Sequence, residues 1–288
     1  MNRMEEFRAQ MAARMAALRT GDSVPAGAAG GACAAAEKAN AEAQAAAYLT
    51  PTTDEFAQWL DAVRGSMHVR MNASYSAAAA KVQFNYLYDD DRINAYAARA
   101  GNGDGYTIAF YGGAIRFSRL ASLAVAVDMC GRPGTASRFA KSIDTGGRMS
   151  RKAALEAMTD CGLDEAFMLP GVRTKAQAVS AGMIIGILAH EMGHVCLGHV
   201  MGPNYYKTNQ EIGRNHEREA DSFASSITAA TPFGEYVYEG RLFWHYVLAQ
   251  QQGNEAVEST HPLNRERLEN LIRANSSKAS ALGIGMPR

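Results

Sequence analysis

Cysteine is scarce in this chain: four in 288 residues, at Cys33, Cys130, Cys161 and Cys196, with no CxxC pair among them. Four thiols so placed are too few for a disulfide framework, so free thiols in a reducing compartment are expected. Net charge is missing too. Basic and acidic residues number 29 each, which leaves neither the footprint of a nucleic-acid binder nor a polybasic membrane surface. The first twenty residues, MNRMEEFRAQMAARMAALRT, mix acids and arginines throughout and contain no apolar stretch of the kind a signal peptide needs. The most apolar run, Ala181 to Leu188, is too short to cross a bilayer and leads straight into a polar motif. These shortages together predict a cytoplasmic protein with no transmembrane segment and no nucleic-acid partner.

With 47% hydrophobic and 20% charged residues, the chain can bury a full core and is most simply one domain with appendages. Residues 1–48 form the first appendage. Met4, Phe7, Met11, Met15 and Leu18 mark an amphipathic helix by their spacing of three and four, suited to packing on the body or to self- or partner association through residues 1–20. Gly21 to Gly31 reads as a linker, followed by an Ala-rich stretch. Residues 49–288 form the main domain. A helix starts near Thr53 with Phe56, Trp59, Leu60 and Val63 as its buried face, and alternation at Val82, Phe84, Tyr86 and Tyr88, at Ile93 to Ala97 and at Tyr106 to Phe110 predicts a small antiparallel sheet of three strands. Helices are expected at 114–129, 149–168, 174–200, 211–230, 234–252 and 262–280. The fold class is therefore α+β, mainly helical with one small sheet.

His190-Glu191-Met192-Gly193-His194 carries the chemistry. Histidines four apart on a helix project from one face, so both can reach a single zinc, while the intervening Glu191 is placed to act as a general base on the metal's open side. A catalytic zinc takes a third protein ligand, and the stretch Asn215 to Asp221 offers Glu217. Asp221, one turn further on, can accept the free N–H of a ligand histidine and set its tautomer. Glu219 points about 160° away from Glu217 and cannot share its task. His199 is expected one further turn along the zinc helix in a structural role, Cys196 as a small buried residue, and His68 as a surface or core histidine.

Two motifs in this order, HEMGHVCLGH and then EREAD, resemble the HtpX and type I CAAX prenyl protease family of gluzincin zinc metallopeptidases. Ile93 to Ala97 is similar to that family's Asn-Ala-aromatic strand, Gly105 to Gly113 to the Gly-ended strand after it, and Ser259 to Leu263 with Arg265 and Arg267 to its Thr-His-Pro segment and trailing arginine. The resemblance covers residues 80 to 275 and departs at 121–178, which reads as a helical insertion. It implies a zincin-like domain with the sheet beside the zinc helix, one Zn2+ per chain held by His190, His194 and Glu217, and a peptide substrate added as a strand at Asn94, Ala95 and Tyr96. His261 is the first candidate to stabilise the oxyanion, with Arg267, His245, Tyr246 and His216 behind it. The activity implied is a zinc metalloendopeptidase acting on unfolded or misfolded segments. A zinc-binding scaffold with negligible turnover and a helical protein with accidental motifs are the alternatives that the residues leave open.

Overall fold

A computed structural model describes residues 43, 44, 46–50, 53–101, 103–142, 147–200, 210–229, 231, 233–249 and 264–281. The expected N-terminal helix, the Gly-rich linker and His261 lie outside them. The order of elements is α1 (Thr53–His68), α2 (Ala73–Ala79), β1 (Val82–Leu87), β2 (Ala95–Arg99), β3 (Tyr106–Tyr111), α3 (Gly112–Met129), α4 (Thr135–Ser142), α5 (Arg151–Asp160), α6 (Leu163–Phe167), α7 (Pro170–Cys196), α8 (Gln210–Ala229), α9 (Gly234–Ala249), α10 (Asn264–Ala274) and α11 (Ser276–Ala281). The class is α+β, mostly helical with a single three-stranded sheet among the described residues.

The sheet is mixed, not antiparallel as the alternation suggested. Its order is β1-β3-β2: β1 pairs parallel with β3, from Val82 opposite Tyr106 to Leu87 opposite Tyr111, and β2 pairs antiparallel, from Ala95 opposite Phe110 to Arg99 opposite Tyr106. Alternation reports which face a strand buries but not which strand lies next to it. The better cue is β3 itself, whose Ile108, Ala109, Phe110 and Tyr111 are all buried. A strand covered on both faces belongs in the middle. The Asp89 to Asp91 segment therefore does not close a hairpin. Asp91 is tied down by the buried Arg116, whose Nη2 donates to its Oδ1 at 2.7 Å while Nε donates to the Met149 carbonyl, also at 2.7 Å.

Helix α7 is the axis of the molecule and joins two apolar cores. Its first half, through Val172, Ala176, Val179 and Met183, packs with α3 to α6, α9 and α10, so the 121–178 region is integral to one of the two cores. The second half, through Ile184, Leu188, Met192 and Val195, packs with α1, the sheet and α8. By length and composition α7 would suffice to cross a membrane, which the shorter run Ala181 to Leu188 did not suggest, but 78% of its apolar window is buried inside the protein. Packing accounts for its hydrophobicity.

Helix boundaries depart from the periodicity where glycine intervenes. The expected helix 149–168 is broken by Gly162, whose φ of 64° is left-handed, into α5 and α6. The short α4 was missed. The zinc-motif helix starts at Pro170, with proline in the first turn, and stops at Cys196 short of the expected 200.

Candidate metal centre

The two motif histidines lie in the second half of α7, and the third expected ligand lies on α8. What brings α8 close is Gly193: a Cβ there would meet the Ala220 Cα at 3.0 Å, so the two backbones run nearly in contact at this point. Glu217 and Asp221 flank Ala220 and are thereby set against the histidines. Their donor atoms converge. His190 Nε2 is 3.1 Å from Glu217 Oε2, His194 Nε2 is 3.4 Å from Glu217 Oε1, and the two Nε2 atoms are 3.1 Å apart. Ligands about 2.0 Å from a tetrahedral zinc stand roughly 3.3 Å from one another. The triangle fits a small cation, and its side chains are largely buried.

His190 is oriented from behind. Its Nδ1 donates to Asp221 Oδ1 at 3.0 Å, which turns Nε2 toward the triangle. Asp221 in turn accepts from Arg267 on α10, Nε to Oδ2 at 2.9 Å and Nη2 to Oδ1 at 2.6 Å, and from Arg241 Nη2 on α9 at 2.9 Å. Burial pushes the Asp221 carboxyl up, but the Arg267 and Arg241 guanidiniums hold it well below the usual carboxylate range. Burial likewise depresses the His190 imidazole, and the hydrogen bonds to Asp221 and Glu217 outweigh it and raise it to about 9. A cation bound in the triangle would compete with a proton for His190 Nε2.

Glu191 lies between the two motif histidines on α7 and is 8% exposed. Among the described residues strand β2 is an edge strand packed beside α7, with Asn94 at its start, Ala95 buried and Tyr96 exposed against Tyr111 at a ring distance of 5.7 Å. The Asn94 side chain accepts from the Ala95 N–H at 2.9 Å, and its carbonyl accepts from Tyr111 N–H at 3.2 Å. The runners-up to His261 have other partners. Arg267 is held by Asp221, the buried His245 bonds Asn264 through Nδ1 at 2.9 Å, and Tyr246 packs against the α3 to α6 core. His216 stacks on His199.

His199 is not on α7, which ends at Cys196. Gly198 adopts a left-handed φ of 76° and turns the chain away. His68 Nε2 meets the Ser76 carbonyl at 2.9 Å and ties α1 to α2. Cys196 is half-buried with its Sγ 3.6 Å from the Tyr75 carbonyl, and burial pushes its thiol up to about 12. Among the described residues Cys130, Cys161 and Cys196 are free thiols.

The reading of the sequence missed Arg241. An arginine at the head of the largely apolar run Leu242 to Leu248 was the available signal, because a buried guanidinium needs a carboxylate. The Gly186 site makes room for it: a Cβ there would meet the Arg241 Cγ at 2.6 Å.

Together the residues make a buried imidazole-imidazole-carboxylate triangle, oriented by a second carboxylate and two arginines, with a further carboxylate next to it on the same helix. Compared with protein-family models, curated proteins and solved structures, the chain matches none.

Proposed function

We propose that the chain is a zinc-dependent metalloendopeptidase of zincin-like fold, cleaving peptide bonds in unfolded or misfolded protein segments. The observation that carries this reading is the convergence of His190, His194 and Glu217 on one point with Glu191 between the two histidines. Zinc bound there would supply a Lewis acid that polarises the scissile carbonyl and brings a water ligand's pKa toward neutrality.

The chain's own residues do the rest. His190 and His194 would ligate through Nε2, and Glu217 would add the negative charge and oxygen that complete a three-ligand set. Asp221 keeps His190 in the tautomer that can ligate, and Arg241 and Arg267 keep Asp221 ionised. Glu191 accepts the proton of the attacking water and passes it to the leaving amine. The outer edge of β2, from Asn94 to Tyr96, takes the substrate backbone as an added strand, which suits an extended, unfolded segment. His261 donates to the developing oxyanion. Free thiols and the burial of α7 agree with a cytoplasmic location.

The test is metal analysis joined to hydrolysis of a casein-like unfolded substrate. One zinc per chain at the triangle, cleavage abolished by a chelator and restored by zinc, and a Glu191→Gln variant that keeps the metal but loses nearly all turnover are expected. Metal without any cleavage by the unaltered chain would make it a scaffold. Normal turnover by Glu191→Gln would refute the base.

A further inference from the structure

A second group of metal-ligand type stands beside the first. Past Cys196, the N–H groups of Gly198 and His199 donate back to the carbonyls of Val195 and His194 at 3.2 and 2.8 Å, the paired bonds that close a helix around a left-handed glycine. The turn swings His199 off α7 and toward α8. There it is 5% exposed, its Nε2 lies 2.9 Å from Glu219 Oε2, and its ring stacks on His216 with centroids 4.0 Å apart and planes 3° from parallel, so one of the two imidazoles turns about its Cβ–Cγ bond for both to reach one ion. One ligand-type atom from each of His199, His216 and Glu219 lies within 4.8 Å of the others.

We propose that His199, His216 and Glu219 form a second site for a divalent transition metal, beyond the single zinc that hydrolysis requires. Two imidazoles and a carboxylate are the donor set that selects zinc and its first-row neighbours over magnesium or calcium. The site adjoins the first without sharing a ligand. The His194 and His199 rings are 5.4 Å apart, and Glu217 and Glu219 leave α8 about 160° apart, one toward His190 and His194 and the other toward His199. It is also more open. The Glu219 side chain is 61% exposed against 9% for Glu217, so the ion there keeps water ligands and binds more weakly. Its position gives it a role: it clips the end of α7 to the helix that supplies Glu217, so occupancy steadies the pairing of the two motif helices.

Equilibrium dialysis of the full chain against buffered Zn2+, with metal counted by mass spectrometry, tests this directly. The expected result is two ions per chain taken up in two steps. His216→Asn and Glu219→Gln, both at partly open positions where folding is not at stake, should leave the tight step in place and weaken the loose one at least about tenfold. Glu217→Ala should do the reverse and lose the tight step. Saturation of the unaltered chain at one ion that His216→Asn and Glu219→Gln both retain would overturn the proposal. One ion lost in those two variants but kept in Glu217→Ala would support this site and remove the metal from the proposed active centre instead.

Discussion

At the residue scale the centre depends on which carboxylate does what. Glu217 is a direct ligand in the proposed triangle, whereas Asp221 acts through His190. Glu217→Ala should therefore strip zinc affinity heavily, and Asp221→Asn should weaken it by about ten- to a hundredfold; competition against a chelator of known affinity measures both. Release of the metal by Glu219→Ala with Glu217→Ala unaffected would put the ion at His199, His216 and Glu219 and not in the triangle. A different residue shows how burial alone acts. The Tyr86 hydroxyl has no hydrogen-bond partner among the described residues, and burial, opposed by the Arg116 and Arg119 charges, raises its pKa to about 12. Since the folded value lies above the unfolded one, its contribution is intact below pH 10 and is lost as pH rises toward 12. Tyr86→Phe should fold with a stability within about 1 kcal/mol of the parent or above it. It should also flatten the loss between pH 10 and 12, read by chemical denaturation across that range. These roles were partly legible beforehand: helical periodicity alone separates Glu217 from Glu219 and stacks His190 over His194. Arg241 was not legible as part of the centre, because its partner Asp221 is on another helix.

At the scale of elements, the site exists because two helices, α8 and α9, approach α7 closely at three glycines. Gly182, Gly186 and Gly193 face α9, α9 and α8 in turn, and a Cβ on Gly182 would meet the Tyr236 carbonyl oxygen at 1.9 Å. That neighbour is backbone and cannot swing aside. Gly182→Ala should cost about 3 kcal/mol, the upper part of the range for overpacking, seen as a lowered denaturation midpoint with unchanged slope. Gly193→Ala meets Ala220 at 3.0 Å and is milder for stability, but it moves α8, and with it Glu217, away from the histidines. Its expected signature is a loss of zinc affinity larger than the loss of stability. An affinity equal to the parent's would show that α8 does not set the ligand spacing. Glycine in mid-helix reads in sequence as a weakness of about 1 kcal/mol relative to alanine. Only the packing shows why this helix carries three. The same limit governs the sheet: strand positions follow from alternation, while the parallel pairing of β1 with β3 follows from β3 being covered on both faces.

For the molecule as a whole, the groups that build the centre come from α7, α8, α9 and α10, so filling the triangle stabilises the assembly of four helices at once. A metal that binds the folded chain and not the unfolded one adds about 2.7 kcal/mol at a hundred times its Kd. For a chain of this size that corresponds to a rise in Tm of roughly 5 °C. Thermal denaturation with zinc and with a chelator measures it, and an unchanged Tm would mean that the triangle does not take the ion. By itself the sequence determined the helical character, the three strand positions, the HExxH helix, and the placing of Glu217 and Asp221 one turn apart on a single face of a second helix. These follow from periodicities of two and 3.6 that operate within a single element. Only the tertiary structure decided the strand order, the end of α7 at Gly198, the turning of His199 toward His216 and Glu219, and the arginine pair around Asp221. Each of those is a contact between elements distant in the chain, and its free energy comes from burial and charge pairing that no local pattern encodes.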